Sequence, residues 1–264
     1  MSRQVEELRR NPDFLRHWLR VIRPLVKVWH RSEVRGLEHV PDGPSLIISN
    51  HSGGGLTMDW PVFVVDFAER FGLERPFYLL VHSVFFQSGF GDALRGIGLL
   101  PASPENARTV LESGASLMVF PGGDAEAVRP FYKRNVIDFG GRTGYVRTAL
   151  DAGVPIVPVV QIGGHENQLH LVQGKQLANA LGLRKNLRVS ILPISFGFPF
   201  GFTAVLPPNL PLPTKIVAQV LEPVDVRAEF GDDPDPKVVD AHIRKIMQSA
   251  LDELASRRRF PIIG

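Results

Sequence analysis

The chain of 264 residues contains no cysteine. Disulfides, thiolate metal sites and cysteine nucleophiles are therefore excluded, and the absence mildly favours the cytoplasmic side of a membrane over a secreted scaffold. The Gly-x-Ser-x-Gly turn of serine hydrolases and the Gly-Lys-Ser/Thr phosphate loop are also missing. We expect no metal site, because the histidines of "HENQLH" (165–170) are five residues apart. A zinc-protease helix spaces them by four, which puts both on one face.

Long apolar runs suited to a membrane span are absent as well. The longest uncharged stretch, residues 189–214, contains six prolines and two glycines, which would break a spanning helix. The N-terminus is charged rather than apolar, so we expect no signal peptide. The sequence predicts a protein that does not span a membrane but carries much apolar material in its loops.

The composition indicates a substantial core and a basic surface. Hydrophobic residues make up 44% of the chain, with seventeen phenylalanines, and the formal net charge is +3. Clustered arginines suit nucleic acid, anionic lipid headgroups or a phosphate-bearing small molecule. We expect no nucleic-acid partner, because no aromatic-basic recognition motif is present.

Apolar residues recur at helical spacing near the N-terminus, with arginines between them. We predict one or two amphipathic helices over 4–31, bent at Pro24, and a single domain over 32–264. A basic helix with Trp and Leu on its other face can lie in a bilayer interface. Alternatively the segment 1–31 packs on the domain and its arginines are merely solvated.

Strands alternate with helices along the rest of the chain, which is typical of an α/β fold. We predict a three-layer-like sandwich with a mainly parallel central sheet flanked by helices. The predicted strands are 45–49, 77–81, 98–100, 116–120, 154–162 and 216–221. Helices are predicted from Asp59 as N-cap, from Ser103, over 142–152 and over 237–258, with an irregular loop between 121 and 138.

A histidine follows the first strand of the domain in "SNHSGGGLTMDWPV" (49–62). His51 would emerge at the carboxyl end of a strand, where open α/β sheets bind ligands. Asp59 could reach back across the glycine loop, fix the tautomer of the imidazole and stabilise its protonated form. The alternative is a loop histidine that hydrogen-bonds to backbone.

The segment "NHSGGGLTMD" resembles the Asn-His-x-x-x-x-Asp motif of the lysophospholipid and glycerolipid acyltransferase superfamily. Arg95 in "LRGIGLLP" stands at the second block of that superfamily, "VFPGGDAEAVRP" resembles the third and "VPIVPVV" the fourth. The segments "GGRTGYVRTALDAGVPIVPVVQIGGHEN" and "FGFPFGFTAVLPPNLPLPTKIVAQVLEPVDV" are similar to the branch of type-2 diacylglycerol acyltransferases and phytyl-ester-synthase-like enzymes. The resemblance covers about residues 35 to 230.

The resemblance implies transfer of a fatty acyl group from a thioester, acyl-CoA or acyl carrier protein, to a lipid hydroxyl. It implies no cofactor and no covalent acyl-enzyme, with His51 as general base and Asp59 orienting it. Backbone N–H groups would hold the oxyanion, and glycine allows close approach. The candidates are Gly53, Gly54, Gly55, Gly122 and Gly123. The residues assigned to substrate binding are Asn50, Arg95, Gly122, Gly123, Glu126 and Arg129.

The sequence departs from the family pattern at two places. Seven residues separate His51 from Asp59, where the family has four. The third block usually reads Phe-Pro-Glu-Gly-Thr-Arg, with the Arg on a phosphate; here Arg129 would hold a phosphate from a shifted position. Glu126 either binds an acceptor hydroxyl or is a helix-start carboxylate favoured by the dipole. We therefore expect a neutral acylglycerol, a lysolipid or a fatty alcohol rather than lysophosphatidate.

The expected protein is a peripheral acyltransferase on the cytoplasmic face of a membrane, docked by its N-terminus and by exposed aromatic loops. The phenylalanines at 85, 86, 90 and 196–202 either belong to the core or wall a channel for the acyl chain. Arg95 is either near the acceptor or simply exposed. Two other functions stay open: a non-catalytic lipid or acyl-chain carrier, and a thioesterase-like hydrolase.

Overall fold

A computed structural model describes residues 8, 10–53, 57–87, 89–181, 191–204, 207 and 209–261. Its strands are β1 (Glu33–Arg35), β2 (Leu46–Ser49), β3 (Phe77–Val81), β4 (Leu99–Pro101), β5 (Ser116–Val119), β6 (Ile156–Ile162), β7 (Leu169–Val172), β8 (Ile194–Gly197), β9 (Gly201–Ala204) and β10 (Val217–Val220). Its α-helices are α1 (Pro12–Pro24), α2 (Asp59–Phe71), α3 (Gly91–Gly96), α4 (Pro104–Glu112), α5 (Gly123–Ala127), α6 (Gly144–Ala152), α7 (Lys175–Ala180), α8 (Val226–Phe230) and α9 (Pro236–Arg257).

Seven of these strands form one sheet in the order β1-β10-β6-β2-β5-β3-β4. The five strands from β6 to β4 are parallel to one another, whereas β10 runs antiparallel to β6 and β1 runs parallel to β10. Every residue of β6 is buried, as expected of a central strand covered on both faces. The predicted α/β fold with a mainly parallel sheet and flanking helices is confirmed.

The two faces of the sheet carry separate cores because successive strand side chains point to opposite sides. On one face, Leu46 and Ile48 pack with Val146 and with the other buried residues of α4, α6 and α9. On the other face, Ile47 packs with Phe63 and the rest of α2. The central strand β2 is therefore packed on both of its faces.

Helix α1 packs against the domain through its apolar stripe. Leu15 is buried, and the Trp18 ring stacks on that of Trp60 at 5.1 Å between centroids. At Pro24, the position of the predicted bend, the α-helix ends and the chain continues as a π-helical turn, Leu25–Trp29. Residues 1–7 and 9 of the predicted N-terminal helix lie outside the described residues. For residues 12–24 the packed arrangement, one of the two alternatives, is the one observed.

A second, antiparallel sheet of order β7-β8-β9 follows directly after β6. The prediction had no strands between 163 and 215, where prolines and glycines interrupt the apolar residues. In the part of the chain that the structure describes, no helix is both long and apolar enough to cross a bilayer.

Candidate active site

The carboxyl end of β2 places His51 against Asp59, the first residue of α2. The His51 Nδ1 and the Asp59 Oδ2 are 3.0 Å apart, and Asp59 is completely buried. The hydroxyl of Ser52 donates to the other carboxylate oxygen, Oδ1. The longer spacing therefore still brings the two side chains together.

The prediction of Asp59 as helix N-cap is wrong. Met58 holds that position without a side-chain hydrogen bond, so the start of α2 lacks the cap that the sequence suggested. The carboxylate of Asp59 instead accepts hydrogen bonds from His51 and Ser52. A capping residue and an orienting carboxylate look alike in sequence, since both are an aspartate before an apolar helix.

The ring of His51 is positioned from a second side by Phe120. The two rings stack at 4.2 Å between centroids with 12° between their planes. The His51 side chain is 15% exposed, and no described residue hydrogen-bonds its Nε2. Because the Asp59 carboxylate can only accept a hydrogen bond, the neutral ring carries its proton on Nδ1. The lone pair on Nε2 is then able to accept a proton.

The backbone of His51 is held by Glu126, in α5. The His51 N–H donates to Glu126 Oε2 at 3.0 Å, and Glu126 is 1% exposed. Burial raises the pKa of this carboxyl to about 7, against the opposing effect of His51 and Arg129. Gly122 lies against the same carboxyl so closely that any Cβ there would overlap it.

Arg129 and Asn50 are both engaged inside the protein. Arg129 is buried and donates to the carbonyls of Val136 and Asp138, the second at 3.3 Å. The Asn50 amide accepts from the Gln161 N–H at 2.8 Å and donates to the Gln161 carbonyl at 2.9 Å. These contacts tie the loop after α5 to itself, and the end of β2 to the end of β6.

The glycine loop after His51 packs closely against the loop after β6. Gly53 has φ +127°, and a Cβ on it would overlap the backbone of His165. The His165 Nε2–H donates to the carbonyl of Glu126 at 3.0 Å, and burial lowers the pKa of His165 to about 4. His165 is therefore neutral near pH 7. Gly54 and Gly55 lie outside the described residues.

The third block forms a turn beside His51. The Gly123 N–H donates to the Phe120 carbonyl at 3.1 Å, whereas no described residue accepts from the N–H of Gly122 or of Gly53. Arg142 donates to the carbonyls of Pro121 at 3.0 Å and Gly122 at 2.6 Å, and its side chain is 52% exposed.

Arg95 stands apart from this cluster, in α3. Its guanidinium lies over the ring of Phe86, 5.1 Å from the centroid, and its Nη1 is buried without a hydrogen-bond partner among the described residues. Four further residues of the site were not among the predicted site residues: Ser52, Phe120, His165 and Arg142. Ser52 lies between two predicted site residues, and Phe120 is two residues from Gly122. Arg142 and His165 both lie in one of the segments that carry the family resemblance, so proximity in sequence could have found all four.

Comparison with known proteins places the chain among acyltransferases. The family model described as Acyltransferase matches residues 31–162. An uncharacterized protein of Mycobacterium tuberculosis is 31% identical over 92% of this chain and 68% of its own length. The bovine "DGAT1/2-independent enzyme synthesizing storage lipids" is 30% identical over 88% of this chain and 67% of its own. This chain thus spans about two thirds of the length of both relatives.

A solved structure shows the same fold. The crystal structure of the 1-acyl-sn-glycerophosphate acyltransferase PlsC from Thermotoga maritima superposes with a TM-score of 0.57. The superposition covers 93% of this chain and 83% of the other, and the two sequences are 18% identical.

Proposed function

Because this chain belongs to the acyltransferase family, we propose that it transfers a fatty acyl group from a thioester to a lipid hydroxyl. The lipid acceptor is supported by the names of its relatives, one of which synthesizes storage lipids and another of which acylates a glycerophosphate. The observation that carries the proposal is the His51–Asp59 pair, in which the part-exposed Nε2 has no hydrogen-bond partner among the described residues.

In this proposal His51 acts as general base on the acceptor. Its Nε2 takes the proton of the hydroxyl while the oxygen attacks the thioester carbonyl carbon. The carbon–sulfur bond of the tetrahedral intermediate then breaks, and the leaving thiolate takes the proton back from the imidazolium. No acyl-enzyme forms. Asp59 stabilises the imidazolium, and the Ser52 hydroxyl fixes the orientation of that carboxylate.

The negative charge that develops on the carbonyl oxygen needs N–H donors nearby. Gly53 and Gly122 are the better of the predicted donors that the structure describes, because the N–H of Gly123 already closes a turn with Phe120. For a phosphate on either substrate, Arg142 suits the task better than Arg129. The guanidinium of Arg142 is half exposed at the turn beside His51, whereas that of Arg129 is buried on carbonyl oxygens.

We further propose that the protein works at the surface of a membrane, as a peripheral protein on its cytoplasmic face. The insoluble acceptor and the exposed apolar side chains support the surface location. The lack of cysteine supports the cytoplasmic face.

The test is acceptor dependence. Purified protein is given palmitoyl-CoA and a panel of lysophospholipids, monoacylglycerols and diacylglycerols, and released CoA is measured with a thiol reagent. The chain itself has no cysteine, so it contributes no background. We expect CoA release only when an acceptor is present, together with a new ester product.

Two results would contradict the proposal. Release of CoA without an acceptor would assign a thioesterase, since water would be the nucleophile. Binding of palmitoyl-CoA without release, whatever acceptor or donor carrier is supplied, would assign a lipid or acyl-chain carrier.

A further inference from the structure

The outer surface of the second sheet is aromatic where a solvent-facing sheet is normally polar. Phe196 and Phe202 are paired across β8 and β9, their rings lie 5.0 Å apart, and both are exposed. Between them, Phe198 and Phe200 are exposed by 68% and 53%. Ser195 and Thr203, which point the other way, are buried. The polar side of this hairpin thus faces the protein and its apolar side faces out.

The N-terminal π-helical turn extends the same surface. The Trp29 Nε1–H donates to the Pro211 carbonyl at 3.0 Å, and His30 Nδ1 lies 3.0 Å from the Thr214 carbonyl. Val28 and Trp29 are exposed beside this contact. We call the surface made by Val28, Trp29, Phe196, Phe198, Phe200 and Phe202 the aromatic face.

The aromatic face itself carries no charge, and at its margin Lys215 pairs with Glu33 Oε1 at 2.6 Å. No charged residue occurs from 189 to 214. At its margin Arg31 donates to the Pro213 carbonyl at 2.6 Å, and Lys215 ends the uncharged stretch. An apolar centre with Trp and cationic side chains at its margin matches the layers of a phospholipid surface, with hydrocarbon inside and anionic or zwitterionic headgroups outside.

The aromatic face also lies on the side of the fold that holds the candidate site. The second sheet starts from the loop after β6, whose Gly164 and His165 pack on Ser52 and Gly53. A bilayer under the aromatic face would therefore present lipid close to the edge of the sheet that carries His51.

We propose that the aromatic face inserts into a phospholipid bilayer and is the main membrane-docking element, in place of the predicted amphipathic helix. The apolar stripe of α1 is already occupied by the domain, with Leu15 buried and Trp18 stacked on Trp60. The choice of a bilayer as partner rests on the lipid acceptor of the proposed function.

Co-sedimentation with vesicles of phosphatidylcholine and phosphatidylglycerol tests this docking. Phe198→Ser removes one inserted ring and should lower the partition coefficient about tenfold or more, and a second change, Phe200→Ser, should bring the loss to about a hundredfold. The matched control is Phe90→Ser, since Phe90 is 73% exposed but lies in the loop before α3. Its partitioning should stay that of the parent chain.

Two outcomes would overturn the proposal. One is that Phe198→Ser binds vesicles as well as the parent, or that Phe90→Ser loses as much. The other is a dimer in solution that Phe198→Ser dissociates while neither form binds vesicles, which would assign the aromatic face to a second copy of the chain.

A labelling experiment reads insertion directly and does not depend on catalysis. A single cysteine is introduced by Phe200→Cys or, as control, by Val238→Cys, and is coupled to a polarity-sensitive fluorophore. Val238 is exposed at the start of α9, some 30 Å along that helix from Arg258, which bonds to the Lys215 carbonyl. Vesicles should raise and blue-shift the emission at 200 and leave it unchanged at 238, also in a His51→Ala background. Equal responses, or none at 200, would refute insertion even if acyl transfer is confirmed.

Discussion

Two segments of this chain combine glycine with small polar residues, and they differ in where the fold places their apolar side chains. Around His51 the polar groups face inward and contact one another: Asp59 and Ser52 are buried, and the loop packs on its neighbour at Gly53. In the β8–β9 hairpin the polar side chains are buried too, but the aromatic ones are left in solvent. The first arrangement suits proton transfer, and the second suits contact with an apolar phase.

The largest effect is expected from Asp59→Asn. An asparagine of the same shape would turn an N–H₂ toward His51 Nδ1, so the ring would keep its proton on Nε2 and could no longer accept one there. We expect kcat to fall about a hundred- to ten-thousand-fold, measured as acceptor-dependent CoA release. Asp66, on the same helix and paired with Lys27, offers the control. Asp66→Asn should lower stability without this loss of rate; equal losses would mean that Asp59 is merely structural.

The two segments should also differ in how they tolerate a methyl group. Gly53→Ala meets the backbone of His165 at φ +127°, and we expect a loss of about 3 kcal/mol or more in the free energy of unfolding. Gly201→Ala, at φ +69° with open space around it, should cost only about 1–2 kcal/mol. Urea denaturation of the two variants measures the difference, and similar values would show that the loop after His51 is not tightly packed.

Buried titratable groups near the site should make stability depend on pH. Burial lowers the pKa of His165 and of His170 to about 4, so the unfolded chain binds protons between pH 6.5 and 4 that the folded protein does not. Each histidine should therefore lower the free energy of unfolding by up to about 3 kcal/mol as the pH falls through this range. Unfolding midpoints in urea at several pH values measure the slope; a flat profile would contradict the burial of both rings.

Glu126 should act in the opposite direction. Its pKa is raised by burial to about 7, so the folded protein retains a proton that the unfolded chain loses above pH 4.5. Its contribution to stability is present below pH 4.5 and is lost as the pH rises to 7. Glu126→Gln should remove this loss, so that the variant gains stability relative to the parent between pH 5 and pH 7. No relative gain would show that the carboxyl is not desolvated as described.

Local patterns predicted the frame of the molecule well. The strand Phe77–Val81 and the cap of α4 by Ser103, which accepts from the Asn106 N–H at 3.1 Å, follow from short-range propensities. The contact of His51 with Asp59 was also anticipated, and the structure contains it. What the sequence left open depends on long-range partners: only the tertiary structure shows that Asn50 is bound to Gln161 or that α1 packs on α2.

The second sheet could not be predicted for a related reason. Its outward residues are apolar and its inward residues Ser195 and Thr203 are polar, the reverse of the usual alternation for a half-buried strand. The usual rule for assigning strands assumes that the apolar side of a sheet faces the protein, so it does not recognise a hairpin whose apolar side faces out.

The most direct test of the account is His51→Ala in the assay of acceptor-dependent CoA release. The account predicts a fall in rate of about a hundred- to ten-thousand-fold, with palmitoyl-CoA binding, vesicle binding and the unfolding midpoint close to those of the parent chain. A variant that acylates the acceptor at the parental rate would show that another group takes the proton of the hydroxyl.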